Sequence, residues 1–226
     1  MAHPSTQTTG TRLLLLGATG LVGSHVLRQA LVSPAINAII APTRKPLSLQ
    51  SASGTTKLIN PLISQNTSAS GQDWVADAVI CALGTTLKKA GSRDAFRQID
   101  YDYPLALARL ARDRGATAFA LTSAAGANPD SRFFYHRVKG ELEHALMQEG
   151  FCSLTFVRPG VIGGARKEAR PGEMALKITL TAFAPLLPRR WHLNPAAEIA
   201  ARLMQAIVQP QAGISIIPAA EMTNII

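Results

Sequence analysis

The chain has 226 residues, 47% hydrophobic and 16% charged, with a net charge of +9. That length and balance suit one domain with a substantial core and exclude a disordered chain. No apolar run approaches the roughly 20 residues that cross a bilayer, and the positive charge is scattered with no nucleic-acid-binding motif beside it, so neither a membrane nor a nucleic-acid partner is expected.

Residues 1–11 are polar and read as a disordered tail, ahead of a domain over residues 12–226. With no apolar export segment, the cytoplasm is the expected compartment. Strands are expected at Leu13–Leu16, Ala38–Ala41, Lys57–Ile59, Ala78–Leu83, Ala118–Thr122, Leu154–Val157 and Ile214–Ile217. Several are continuously apolar, as parallel strands covered on both faces are. Helices are expected at Leu21–Val32, Ser92–Arg114, Tyr135–Glu149, Glu173–Ala184 and Ala196–Val208. Strands alternating with helices predict an α/β, Rossmann-type doubly wound sheet, mainly parallel, with helices on both faces. Residues 61–74 are rich in turn formers and predict a loop. The segment Gly163–Pro195, rich in Pro, Arg and Gly, predicts an insertion over the substrate, with Met174, Leu186 and Trp191 as apolar contributors. Cys81 and Cys152 lie in apolar runs and are expected to be buried, reduced thiols.

Gly17-Ala18-Thr19-Gly20-Leu21-Val22-Gly23 joins the first strand to the first helix. A glycine turn opening a helix gathers bare N–H groups and the positive end of the helix dipole, which suits a pyrophosphate. Gly17 permits a tight exit from the strand, Gly20 an approach to phosphate, and Gly23 close helix packing. Thr43-Arg44-Lys45 ends the second strand with cations where NAD-specific enzymes place an acid, so Arg44 is the candidate for a 2′-phosphate and Lys45 for added charge. Ala82-Leu83-Gly84-Thr85, followed by Thr86, closes the fourth strand beside the expected nicotinamide half. Ser123 ends the fifth strand, and Tyr135 and Lys139 share a helical face at i, i+4. An ammonium close to a phenol favours phenolate, which would let Tyr135 exchange a proton with a carbonyl oxygen while Ser123 hydrogen-bonds that oxygen. The five histidines lack metal-ligand spacing, so no metal is expected.

In combination these segments resemble the short-chain dehydrogenase/reductase superfamily in its extended or atypical branch, and more closely the Tat-interacting-protein-like NAD(P)-binding oxidoreductases. The matching stretches are Gly17–Gly23, Ala82–Gly91, Thr122–Ala127, Tyr135–Glu141 and Val157–Val161. The resemblance implies bound NADP(H) and Ser123, Tyr135 and Lys139 as the catalytic group, with Lys139 also on the nicotinamide ribose. It further implies that Arg158, Pro159, Gly160 and Val161 line the nicotinamide pocket. The chain departs from the superfamily in having no Asn within Ser92–Arg114, where Asp100 is the nearest polar substitute, and no Asp after the third strand, where Asn60-Pro61 stands. The part after residue 163 is too short for a large sugar-nucleotide domain. The expected activity is NADP(H)-dependent interconversion of a carbonyl and an alcohol on a small-molecule substrate, by a monomer or homodimer. The alternative is an NADP(H)-binding regulator or redox sensor with little or no turnover.

Overall fold

A computed structural model describes residues 10–47, 57–63, 74–163 and 193–222. The four leucines Leu13–Leu16 are at most 2% exposed, because their strand is covered on both faces. Along this strand, β1 (Thr11–Leu16), Leu13 and Leu15 join one apolar cluster and Leu14 and Leu16 the opposite one, as the period of two requires. The first cluster packs under α1 (Leu21–Val32) and α6 (Ala196–Val208). The second packs under α4 (Tyr103–Asp113) and α5 (Phe134–Met147).

The main sheet has seven parallel strands in the order β3-β2-β1-β4-β5-β6-β9. Its other members are β2 (Ile36–Ile40), β3 (Leu58–Ile59), β4 (Ala78–Cys81), β5 (Ala118–Thr122), β6 (Ser153–Arg158) and β9 (Gly213–Pro218). The winding reverses between β1 and β4, and in such sheets ligands lie outside the carboxyl ends of the strands at that reversal. The doubly wound architecture read from the sequence is therefore the one observed.

Differences are local and have physical causes. The single helix expected over Ser92–Arg114 is α3 (Arg93–Arg97), a π turn (Gln98–Asp102) and α4. Ser92 caps α3 by accepting the Ala95 N–H at 3.0 Å, as N-cap serines do. Pro104 has no N–H to offer the Asp100 carbonyl, so the α ladder fails there, and the Tyr103 N–H bonds to Gln98 instead. A short α2 (Leu87–Ala90) precedes this run, capped by Thr86 and closed by Gly91 at φ 85°. The fourth strand stops at Cys81, two residues before its expected end. The ends of the expected insertion, β7 (Val161–Gly163) and β8 (Leu193–Pro195), pair as a small parallel sheet. Residues 1–9, the helix Glu173–Ala184, the body of the insertion with Met174, Leu186 and Trp191, and residues 64–73 lie outside the described residues.

The two thiols differ, which corrects one expectation: Cys81 is buried and Cys152 is exposed. Burial pushes the Cys81 thiol up to about 11. A thiolate-directed reagent at neutral pH should therefore label one thiol in the native protein and two after unfolding, counted by mass. Labelling of both in the native state would contradict this packing.

Candidate functional site

The glycine turn sits at the reversal point. Gly17 adopts φ +86°, and a Cβ there would lie 2.6 Å from the Ala82 carbonyl oxygen. Only glycine tolerates both conditions. A Cβ on Gly23 would meet the Gly17 carbonyl oxygen at 2.0 Å, so α1 approaches the turn with backbone against backbone. The Gly20 N–H closes the turn on the Gly17 carbonyl at 2.9 Å. Helix α1 has no side-chain cap and no acid in its first turn. Its leading N–H groups are those a diphosphate would bind. Val22 turns its side chain into the core, and Thr19 is exposed on the turn.

Beyond β2, the Thr43 hydroxyl donates to the Lys45 carbonyl at 2.7 Å and accepts from Asn60 at 2.8 Å. Asn60 also donates to the Ala41 carbonyl and accepts the Leu47 N–H. Thr43 and Asn60 thus shape this turn, and Asn60 occupies the place where the superfamily's Asp was missed. Arg44 and Lys45 are exposed at its tip, and their side chains meet no charged partner among the described residues.

The third part is built on α5. Tyr135, Lys139 and Glu143 recur every four residues and share one face. The helix can lie close because Gly140 has no side chain: a Cβ would be 2.2 Å from the Asn128 carbonyl carbon. Lys139 is 3% exposed and its Nζ lies 2.8 Å from Asp100 Oδ1. Asp100, fully buried in the π turn, also accepts the Thr85 N–H at 2.8 Å, and Gly84 passes over both side chains. Asp100, named from sequence only as a polar substitute, is thus the direct partner of Lys139. Glu143 is 1% exposed. It accepts the Ser123 hydroxyl at 2.5 Å and is gripped by both sides of the Arg158 guanidinium. Sequence reading missed Glu143, although its position one turn beyond Lys139 was a signal. With its proton donated to Glu143, the buried Ser123 hydroxyl keeps only lone pairs for another group. Arg158 braces this cluster from its place at the end of β6.

Tyr135 is 41% exposed and packs edge-on to Phe96, with ring centroids 5.9 Å apart. Its phenol is raised from its ordinary value, first by the protein around it and also by Asp100, with Lys139 pulling the other way. The Lys139 ammonium is itself raised: burial lowers it most, and Asp100, Tyr135 and Cys81 together outweigh that.

The remaining wall follows β6. Pro159 accepts the Ala125 N–H at 2.8 Å, and the Gly160 N–H donates to Asn194 at 2.7 Å. Asn194 is fully buried and donates to the Ala219 and Met222 carbonyls. Val161 is 40% exposed at the start of β7. Among the described residues no cluster could hold a metal ion, and no helix is long and apolar enough to cross a membrane.

No protein-family model matches the chain. It is 38% identical over 173 residues to a protein named fmp52, mitochondrial, from Aspergillus fumigatus, covering 73% of this chain and 72% of that one. It is 33% identical over 166 residues to the Saccharomyces cerevisiae protein FMP52, mitochondrial, covering 74% and 72%. Among solved structures, an oxidoreductase of the short-chain dehydrogenase/reductase family from Burkholderia thailandensis superposes with a TM-score of 0.65 at 14% identity, over 94% of this chain and 93% of that one. WbmH from Bordetella bronchiseptica, in complex with NAD+, gives 0.64 at 13% identity over 92% and 75%. RMD from Pseudomonas aeruginosa, complexed with NADPH, gives 0.59 at 17% identity over 92% and 77%. The cytoplasmic placement read from the sequence is corrected by these relatives, which are named as mitochondrial. The chain belongs to the Fmp52 family, and its fold is that of the extended and atypical short-chain dehydrogenase/reductases.

Proposed function

We propose that the protein is an NADP(H)-dependent oxidoreductase that interconverts a carbonyl and an alcohol on a small substrate, and that it works in mitochondria, as the names of its relatives say of them. The observation that carries the reading is the uncapped start of α1 at the sheet's reversal point, with Tyr135 one turn before Lys139, whose ammonium meets Asp100 beside Gly84 in the loop after β4. The residues fit the group: the α1 N–H donors suit the diphosphate, and the exposed Arg44 and Lys45 suit a 2′-phosphate. When bound, the nicotinamide supplies or accepts the hydride. Tyr135 then gives its proton to the carbonyl oxygen, or takes it back in the reverse direction. Lys139 holds charge beneath it, and Ser123, its proton held by Glu143, is left able to accept a hydrogen bond. Ala82, Leu83, Gly84 and Thr85 on one side, and Pro159, Gly160 and Val161 on the other, bound the space for the nicotinamide.

Arg44→Ala is expected to weaken NADPH binding about tenfold or more and leave NADH binding nearly unchanged, since a hydrogen bond between two charged groups contributes about 1.5–3 kcal/mol. Calorimetric titration with both nucleotides checks this, and an unaltered preference would remove Arg44 from the role. A second reading, a cofactor-binding regulator, draws support from the Ser123 hydroxyl being turned to Glu143 and Lys139 being paired with Asp100. NADPH consumption across a carbonyl panel separates the two: tight binding with no turnover favours the regulator.

A further inference from the structure

The expectation that Lys139 alone would activate Tyr135 meets a carboxylate in the way. Asp100 is fully buried, 2.8 Å from the Lys139 ammonium, and locked by the Thr85 N–H. The backbone that carries it is fixed too, because Pro104 forces the π turn over Gln98–Asp102. An ammonium alone beside a phenol favours phenolate; an ammonium paired with a carboxylate favours it less, because the carboxylate repels phenolate directly. Around Tyr135, α5 contributes Lys139 and the His136 ring at 5.5 Å, the π turn contributes Asp100, and α3 contributes only the uncharged Phe96. Beneath Lys139, β4 contributes Cys81, a neutral thiol at physiological pH.

Resting on the reading above, we propose that Asp100 holds Tyr135 in its neutral, proton-donating form across the neutral pH range. The phenol is raised chiefly by burial; Asp100 adds to that direction and Lys139 opposes it. In carbonyl reduction the carbonyl carbon gains a hydride from the reduced nicotinamide, with its two electrons. The carbonyl oxygen takes the Tyr135 proton, and the tyrosinate left behind regains one from water. That direction needs phenol at the start; alcohol oxidation needs phenolate. A site whose resting group is phenol is therefore fitted to reduction near neutral pH and to oxidation only under alkaline conditions.

The test is an ultraviolet titration of the tyrosinate, taken as the difference between the whole protein and its Tyr135→Phe counterpart, so that Tyr101 and Tyr103 cancel. It is repeated in an Asp100→Asn background, which keeps an acceptor for the Thr85 N–H. The midpoint of Tyr135 is expected to move to lower pH, raising the tyrosinate signal at mildly alkaline pH about threefold or more. Asp100→Ser gives the same reading should the Asn variant fail to fold. A midpoint that stays or rises overturns the proposal. No substrate is needed: a lowered midpoint upholds it even in a protein that turns over no carbonyl, a result that removes the functional reading alone. An unmoved midpoint in a protein that does reduce carbonyls removes the proposal alone.

Discussion

Tyr135→Phe is expected to lower carbonyl turnover about 10²-fold or more while NADPH affinity changes less than about threefold. The substitution removes one oxygen. The ring keeps its contacts with Phe96 and His136, and α5 is held by Leu142 and Leu146 in the core and by the Lys139 and Glu143 pairs, so the fold has no reason to change. The groups proposed to bind cofactor most firmly, the start of α1 and the turn at Arg44, lie on other elements. Loss of rate with binding retained is therefore the signature of a missing proton carrier. Steady-state kinetics beside a binding titration give both numbers, and full turnover in the variant would remove the assigned chemistry.

Gly23→Ala should act in the opposite way, through the fold and the cradle together. Its new methyl would lie 2.0 Å from the Gly17 carbonyl oxygen. That carbonyl cannot swing aside easily, because Gly17 is itself pressed against Ala82 in a positive-φ conformation. Either α1 lifts from the sheet or the turn opens. The expected cost is about 2–4 kcal/mol, or roughly 5–12 °C in melting temperature for a chain of this size, with NADPH affinity reduced about tenfold or more. Gly20→Ala is the control for the melting temperature alone: its Cβ would sit 3.3 Å from the same oxygen, a contact relieved by a few tenths of an ångström. A Gly23→Ala protein that melts and binds as the parent does would contradict this packing.

The sheet was legible in the sequence because its strands are continuous apolar runs, and a run such as Leu13–Leu16 has few other ways to be buried. The helices Leu21–Val32 and Ala196–Val208 coincide in sequence and structure for the same reason. The π turn was not legible, since it depends on what Pro104 withholds from a neighbour four residues away rather than on local periodicity. The placement of single residues was legible: the glycine turn joins β1 to α1, and Tyr135 and Lys139 share a face of α5. The partners were not. Whether Lys139 meets Asp100, and whether Ser123 faces Glu143, is decided by which elements the sheet brings side by side. The exposed thiol of Cys152 escaped because an apolar neighbourhood in sequence says nothing about a residue in the bend just ahead of a strand.

The clasp made by Asn194 has a consequence for the order in which the molecule is made. It fastens the loop after β6 to carbonyls at Ala219 and Met222, and β9 lies along β6 for all six residues of that strand. The glycine turn leaves the ribosome about 200 residues before that anchor, which at 5–20 residues per second is roughly 10–40 s. During that interval a nascent chain carries the proposed diphosphate cradle without a fastened wall opposite. Synthesis halted before β9 should yield a fragment that never tightens around the nucleotide.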